Sequence, residues 1–96
     1  MNRRVAVVDI GTNTLKFSVT AVDDHGHQTI VDSHADTVRL GYRLGETGRI
    51  AEDRAQRALE ALSAYEKRAA MFGTEAFLGI ATAAVRSATN SITGTE

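Results

Sequence analysis

A turn of only four residues, Gly11-Thr12-Asn13-Thr14, follows Ile10 between two strand-like runs at the start of this chain, and that spacing constrains the fold more than any other feature. The first run, Arg4 to Asp9, is apolar through Val5-Ala6-Val7-Val8, the pattern of a strand buried on both faces of a sheet. The second, Leu15 to Val22, alternates. Leu15, Phe17, Val19 and Ala21 share one face, while Lys16, Ser18 and Thr20 share a solvated one. Four residues cannot hold a crossover helix, so the second strand must return antiparallel to the first. The polar turn Asp23-Asp24-His25-Gly26-His27 leads to a weaker third strand over Gln28 to His34, and the chain opens as a three-strand meander.

Three glycines between Gly41 and Gly48 mark a loop. After it, Ala55, Ala58, Leu59, Leu62, Tyr65, Ala69 and Phe72 recur at helical spacing over about 51–72. Glu52 and Asp53 suit the positive start of that helix, Lys67 and Arg68 its negative end, and Gly73 can take the left-handed conformation that stops it. Its alanines suggest close packing on a sheet. Ala76 to Ala81 reads as a short buried strand, and Thr82 to Ala88 as the opening turns of a second helix. The order is βββαβα, an α/β fold with a mixed sheet. The long helix can serve as a crossover that lays the fourth strand parallel to the first and beside it. Asp9 and Ala81 then end at one rim, where open α/β sheets place ligands. Ser91 to Glu96 carries no pattern and reads as a frayed end.

With 96 residues, the chain is one small domain at most, which excludes a two-domain enzyme. Basic and acidic residues divide 5 to 6 over 1–48 and 6 to 6 over 49–96, so neither half is a nucleic-acid surface. Any anion needs a specific pocket. Asp9 cuts the leading apolar run short of a signal peptide. Ala76 to Val85, the longest uncharged apolar stretch, is about half of a membrane span. A soluble protein is expected, with no membrane partner, and the absence of Cys fits the cytoplasm.

Chemistry concentrates in Asp9-Ile10-Gly11-Thr12-Asn13-Thr14. A tight turn leaving a strand presents successive backbone N–H groups, a concavity suited to phosphate oxygens. Gly11 lets the backbone approach closely, and the hydroxyls of Thr12 and Thr14 and the Asn13 amide add donors. Asp9, a carboxylate at the strand end, should meet a cation, a water or a metal ion. The same residues also fit a plain hairpin in which Gly11 and Asn13 supply turn dihedrals. Thr82 and Arg86, four apart on one helix side, form a second candidate: Arg86 as a phosphate clamp, Thr82 as cap or donor. An N-cap threonine and a surface arginine are the ordinary reading of the same pair, which convergence of both candidates on one rim weakens. Arg39, between Val38 and Leu40, either points at the same cleft or lies on a solvated face. His25, His27 and His34 do not make a zinc centre, since two lie in a charged turn and no Cys accompanies them.

Three segments carry a resemblance. Val7-Val8-Asp9-Ile10-Gly11-Thr12-Asn13-Thr14-Leu15-Lys16, then Val38-Arg39-Leu40-Gly41 with Thr47-Gly48-Arg49-Ile50, then Ala81-Thr82-Ala83-Ala84-Val85-Arg86-Ser87-Ala88-Thr89-Asn90, resemble consecutive signatures of the exopolyphosphatase / guanosine pentaphosphate phosphohydrolase (Ppx/GppA) family. The likeness runs from about residue 4 to 90. It implies the RNase H-like fold of the actin, hexokinase and Hsp70 superfamily, which begins βββαβα. It also implies that Gly11 to Thr14 form the first phosphate loop, that Asp9 lies near a divalent metal, usually magnesium, and that Arg86 binds anion beside the scissile phosphate with support from Thr82. The implied substrates are inorganic polyphosphate or guanosine pentaphosphate, cleaved at terminal phosphoanhydride bonds.

Two family features are missing. The catalytic glutamate of a Ser-Gly-x-Glu-Glu segment has no counterpart, since the only glutamate after Glu75 is Glu96, and no Gly-Gly pair supplies the second phosphate loop. The chain therefore reads as 1–96 of a partial amino-terminal domain, with one wall of a phosphate cleft, no general base and no activity alone. An ATP-dependent sugar or acetate kinase shares the Asp-x-Gly-Thr opening but leaves Thr82 to Arg86 unexplained. A non-catalytic module, dimerising through an exposed sheet edge or face, is the reading from another class.

Overall fold

A computed structural model describes residues 3–87 of the chain. The meander consists of β1 (Arg3–Ile10), β2 (Thr14–Val22) and β3 (Gln28–Thr37). A short helix α1 (Leu44–Thr47) interrupts the glycine loop. The long helix α2 (Glu52–Met71), β4 (Ala76–Ala81) and α3 (Ala83–Ser87) complete the order. The sheet runs β3-β2-β1-β4, with β1 and β2 antiparallel, β2 and β3 antiparallel, and β4 parallel to β1. The α2 crossover thus produces the expected parallel pair, with β4 on the outer side of β1. The notional frayed end at 91–96 lies outside the described residues.

One face of the sheet meets α2. Ala6, Val8 and Ile10 of β1 lie opposite Val19, Phe17 and Leu15 of β2, and all six are buried. Phe17 stacks on Tyr65 of α2 with ring centroids 4.8 Å apart and planes within 6°. Burying a side chain of this size stabilises by about 1.5–3 kcal/mol. Helix α2 contributes Ala58, Tyr65 and Ala69 as its buried residues. The small alanines let it lie close on the strands. Leu59, expected in this stripe, is half exposed. It follows Ala58 by one residue, and a step of about 100° carries it to the shoulder of the helix. The helix stops at Gly73, φ 66°, where the Thr74 N–H and hydroxyl both donate to the Ala69 carbonyl.

Two burial expectations fail for one reason: nothing among the described residues covers the other face. Strand β1 is buried on the α2 side only, with Val5 and Val7 half-buried and Asp9 exposed. Strand β4, expected to be buried, is the sheet edge, and Leu78 and Ile80 are 53% and 59% exposed. The register aligns them with Val7 and Asp9, which places them on the open face. Strand β3 bulges at Val31, because Val19 pairs with Asp32 while Thr20 pairs with Ile30. Asp32, His34 and Asp36 thereby share a face with the core residues of β2. No helix among the described residues is long and apolar enough to cross a membrane.

Candidate functional site

Strands β1 and β4 end side by side, with Ile10 opposite Ala81. The Thr82 N–H donates to the Ile10 carbonyl at 3.1 Å and holds the two ends together. From this rim the Gly11–Thr14 turn closes on itself, the Gly11 N–H donating to the Thr14 carbonyl at 3.1 Å. The loop after β3 then packs on the turn. Val38 N–H and Arg39 N–H both donate to the Asn13 carbonyl, at 3.0 and 2.8 Å, and Gly41 N–H donates to the Thr12 carbonyl at 2.7 Å. The carbonyls of the turn are thus tied down from outside. The N–H groups of Thr12 and Asn13 donate to nothing among the described residues, so they are the donors the turn offers to an anion.

This geometry redefines Gly11. A Cβ there would lie 2.8 Å from the Thr14 carbonyl oxygen, so the turn's own closure demands glycine before any ligand enters. Gly41 is the tighter case: a Cβ would lie 2.3 Å from Cγ2 of Thr12. That close approach presses the 38–41 loop against the phosphate-loop candidate. Its Arg39, in the left-handed region at φ 53°, is exposed, and its backbone rather than its side chain supports the turn.

The two candidate segments meet. Thr12 Oγ1 and Thr82 Oγ1 are 3.5 Å apart across the rim. Thr82 Oγ1 also accepts a 3.4 Å bond from the Val85 N–H, capping α3, and its carbonyl accepts from the Arg86 N–H at 3.0 Å. Cap and rim donor are therefore one residue. Val85 is fully buried and anchors α3 to the core. Arg86 is exposed at the same end, with no ion-pair partner among the described residues. A fixed backbone carrying a free guanidinium suits bidentate capture of a phosphate.

Asp9 is the carboxylate at the end of β1. It is exposed on the open face of the sheet, directly across from Lys16, in a cleft of about 420 Å³ that Val7, Ser18 and Ser33 also line. Sequence reasoning set Lys16 aside as a solvated residue. The four-residue turn already pairs 9 with 16, and that register was the signal that could have found it. A magnesium ion typically takes one or two carboxylates and completes its shell with water and phosphate oxygens. Asp9 fits the role of one such ligand. Among the described residues no group of three His, Asp or Glu side chains could hold a metal ion.

Two side-chain contacts tie β3 to α2. Arg68 donates to both carboxylate oxygens of Asp32, at 2.8 and 2.9 Å, and this bond holds the Asp32 carboxyl below its ordinary range. Tyr65 donates to Asp36. Burial first, and that bond second, push the phenol up. His34 Nε2 lies 3.6 Å from Asp32. His25 and His27 flank a turn in which Asp23 Oδ1 accepts both of their backbone N–H groups. The histidines are thus parts of turns and ion pairs.

Comparison with known proteins adds a second line of evidence. The profile of the Ppx/GppA phosphatase family matches residues 18–93. Exopolyphosphatase 1 of Mycobacterium tuberculosis is 32% identical over 88 residues, which is 92% of this chain and 26% of that protein. The Mycobacterium leprae enzyme of the same name is 31% identical over the same shares. Among solved structures, a Ppx/GppA family member from Aquifex aeolicus superposes with a TM-score of 0.89 at 32% identity, covering 95% of this chain and 29% of that one. An exopolyphosphatase from Cytophaga hutchinsonii superposes with 0.84 at 27% identity, over 93% and 28%. The chain spans about a quarter of the length of the curated relatives it matches.

Proposed function

The chain belongs to the Ppx/GppA phosphatase family, and from that membership we propose that its β1–β4 rim is one wall of a site that binds the terminal phosphates of inorganic polyphosphate or guanosine pentaphosphate for hydrolysis. The 3.5 Å approach of Thr12 to Thr82 carries the reading, because it joins two segments 70 residues apart at the mouth of one turn. The N–H groups of Thr12 and Asn13, with the Thr12, Thr14 and Thr82 hydroxyls, supply neutral donors. Arg86 supplies the charge that stabilises a phosphoryl group as it leaves. Asp9 would hold a magnesium ion, which would supply Lewis-acid neutralisation of phosphate oxygens.

Within this reading the 96-residue chain binds phosphate and does not turn over. A base that orients the attacking water must face the scissile phosphate, and the only carboxylate at the end of β1, Asp9, is assigned to the metal. The test is phosphate release from inorganic polyphosphate with magnesium, measured alongside binding of tripolyphosphate by calorimetry. The proposal expects saturable binding without release. Absence of binding sinks the anion site, and substantial release by the purified chain sinks the division of labour.

A further inference from the structure

The two edges of the sheet are built differently. Strand β3 carries the bulge at Val31 and the inward-facing carboxylates of Asp32 and Asp36, devices that keep another strand from adding to an edge. Strand β4 has neither. Its sequence, Ala76-Phe77-Leu78-Gly79-Ile80-Ala81, holds no charge, and it pairs with β1 in an unbroken register. Apolar side chains stand on both faces of this undefended edge. Leu78 and Ile80 lie on the open face, and Phe77, 38% exposed, lies on the α2 side. There the helix leaves a groove of about 350 Å³ over β4, lined by Val8, Ile10, Leu62, Glu66, Phe77 and Gly79. A Cβ on Gly79 would meet nothing within 4 Å, so the groove is open above the middle of the strand.

A second copy of the chain fits this edge by the sequence of β4 itself. Antiparallel pairing sets residues of the same face opposite each other, and a two-fold axis normal to the sheet beside Leu78 satisfies that rule. Leu78 then meets Leu78 of the second copy, Phe77 meets its Gly79, and Ile80 meets its Ala76. Off the axis, each large side chain faces a small one. The Phe77 ring covers the open space over the other copy's Gly79, a pairing in which an aromatic side chain makes up for the one glycine lacks. Charge does not oppose the contact, since β4 has none to desolvate and each copy carries a formal net charge of only −1.

We propose that β4 is a self-association edge, at which two copies of this chain pair antiparallel and join their four-stranded sheets into one. The inference stands apart from the phosphate reading. Six edge residues and the side chains behind them fall well short of the roughly 20–30 residues per partner of a standard interface, so the dimer should be weak, with a dissociation constant of about 100 µM.

The experiment is sedimentation equilibrium of the full 96-residue chain from about 10 µM to about 1 mM, with circular dichroism confirming that each variant is folded. The mass should rise from 10.3 kDa toward twice that value. Leu78→Lys, which sets two like charges opposite each other, should stay monomeric. Gly79→Val fills the seat of both Phe77 rings and should weaken association about tenfold. Ile30→Lys, on the β3 edge, should change nothing. The chain has no Cys, so Leu78→Cys should link into a disulfide dimer on mild oxidation, because opposed residues of antiparallel strands lie about 4.5–5.5 Å apart at Cα. Ile30→Cys should not. A wild-type mass that stays at 10.3 kDa throughout overturns the proposal and leaves the edge to a different chain. Association that Leu78→Lys does not disturb, or equal crosslinking of the two cysteine variants, places the contact elsewhere and overturns it as well.

Discussion

The hydroxyls of Thr12 and Thr82 stand 3.5 Å apart, although one belongs to a hairpin turn and the other caps a helix 70 residues later. Parallel pairing of β1 with β4 produces this meeting, because it delivers both strand ends to the same rim. A rim made this way depends on packing behind it more than on its own few side chains.

Gly41→Ala tests that dependence. The new methyl would meet Thr12 Cγ2 at 2.3 Å, so the Thr12 side chain, whose hydroxyl faces Thr82, must rotate, or the 38–41 loop or the turn must move. We expect a loss of about 1–3 kcal/mol in folding stability together with weakened tripolyphosphate binding. Gly45→Ala, where a Cβ meets open space, should leave both unchanged in parallel denaturation and binding experiments. Equal behaviour of the two variants would remove the contact from the account.

The Asp32–Arg68 pair should shape acid stability. A carboxyl held below its ordinary value by the Arg68 hydrogen bond contributes fully above the unfolded value of about 4, and that contribution is lost as pH falls from there through the folded value. Urea midpoints between pH 6 and 2 should therefore drop more steeply for the wild type than for Arg68→Ala. Parallel curves would show that the pair carries no linkage.

Tyr65 governs the alkaline side. Its phenol is pushed up by burial and by the Asp36 bond, so the folded state keeps its proton while the unfolded chain releases one near pH 10. Stability from this residue is complete below about pH 10 and declines above it. Tyr65→Phe should cost about 0.5–1.5 kcal/mol at pH 7 for the lost bond and flatten the decline above pH 10. A Tyr65→Phe variant with an unchanged alkaline limb would contradict the assignment.

Ala58 is fully buried on the inner side of α2, and Ala58→Asp should abolish cooperative unfolding in circular dichroism, since a carboxylate there would be buried in the apolar core. A folded Ala58→Asp protein would mean that α2 does not pack as described.

Strand order, the crossover helix and the shared rim were legible because each follows from chain length between elements: four residues force a hairpin, and twenty helical residues permit a parallel return. Burial on the open face was not legible. Val7, Leu78 and Ile80 carry the composition of a strand covered twice, and their apolarity cannot reveal that the described residues cover it once. The pairing of Asp32 with Arg68 and of Asp36 with Tyr65 escaped notice because the bulge at Val31 sets the face that Asp32 and Asp36 occupy, and a single extra residue leaves no mark on the alternation. At the site, Thr12 and Thr82 meet at one rim, with Arg86 one helical turn further on. Gly11 was read as space for a ligand, whereas the Thr14 carbonyl already requires it.

The most direct measurement is residue-resolved NMR titration of the chain with inorganic tripolyphosphate, repeated for Arg86→Ala and for Arg57→Ala on the exposed side of α2. The account predicts that the amides of Thr12, Asn13 and Thr82 shift together, that Arg86→Ala weakens binding about tenfold, and that Arg57→Ala does not change it. Shifts confined to other surfaces, or equal losses from the two arginine variants, would contradict it.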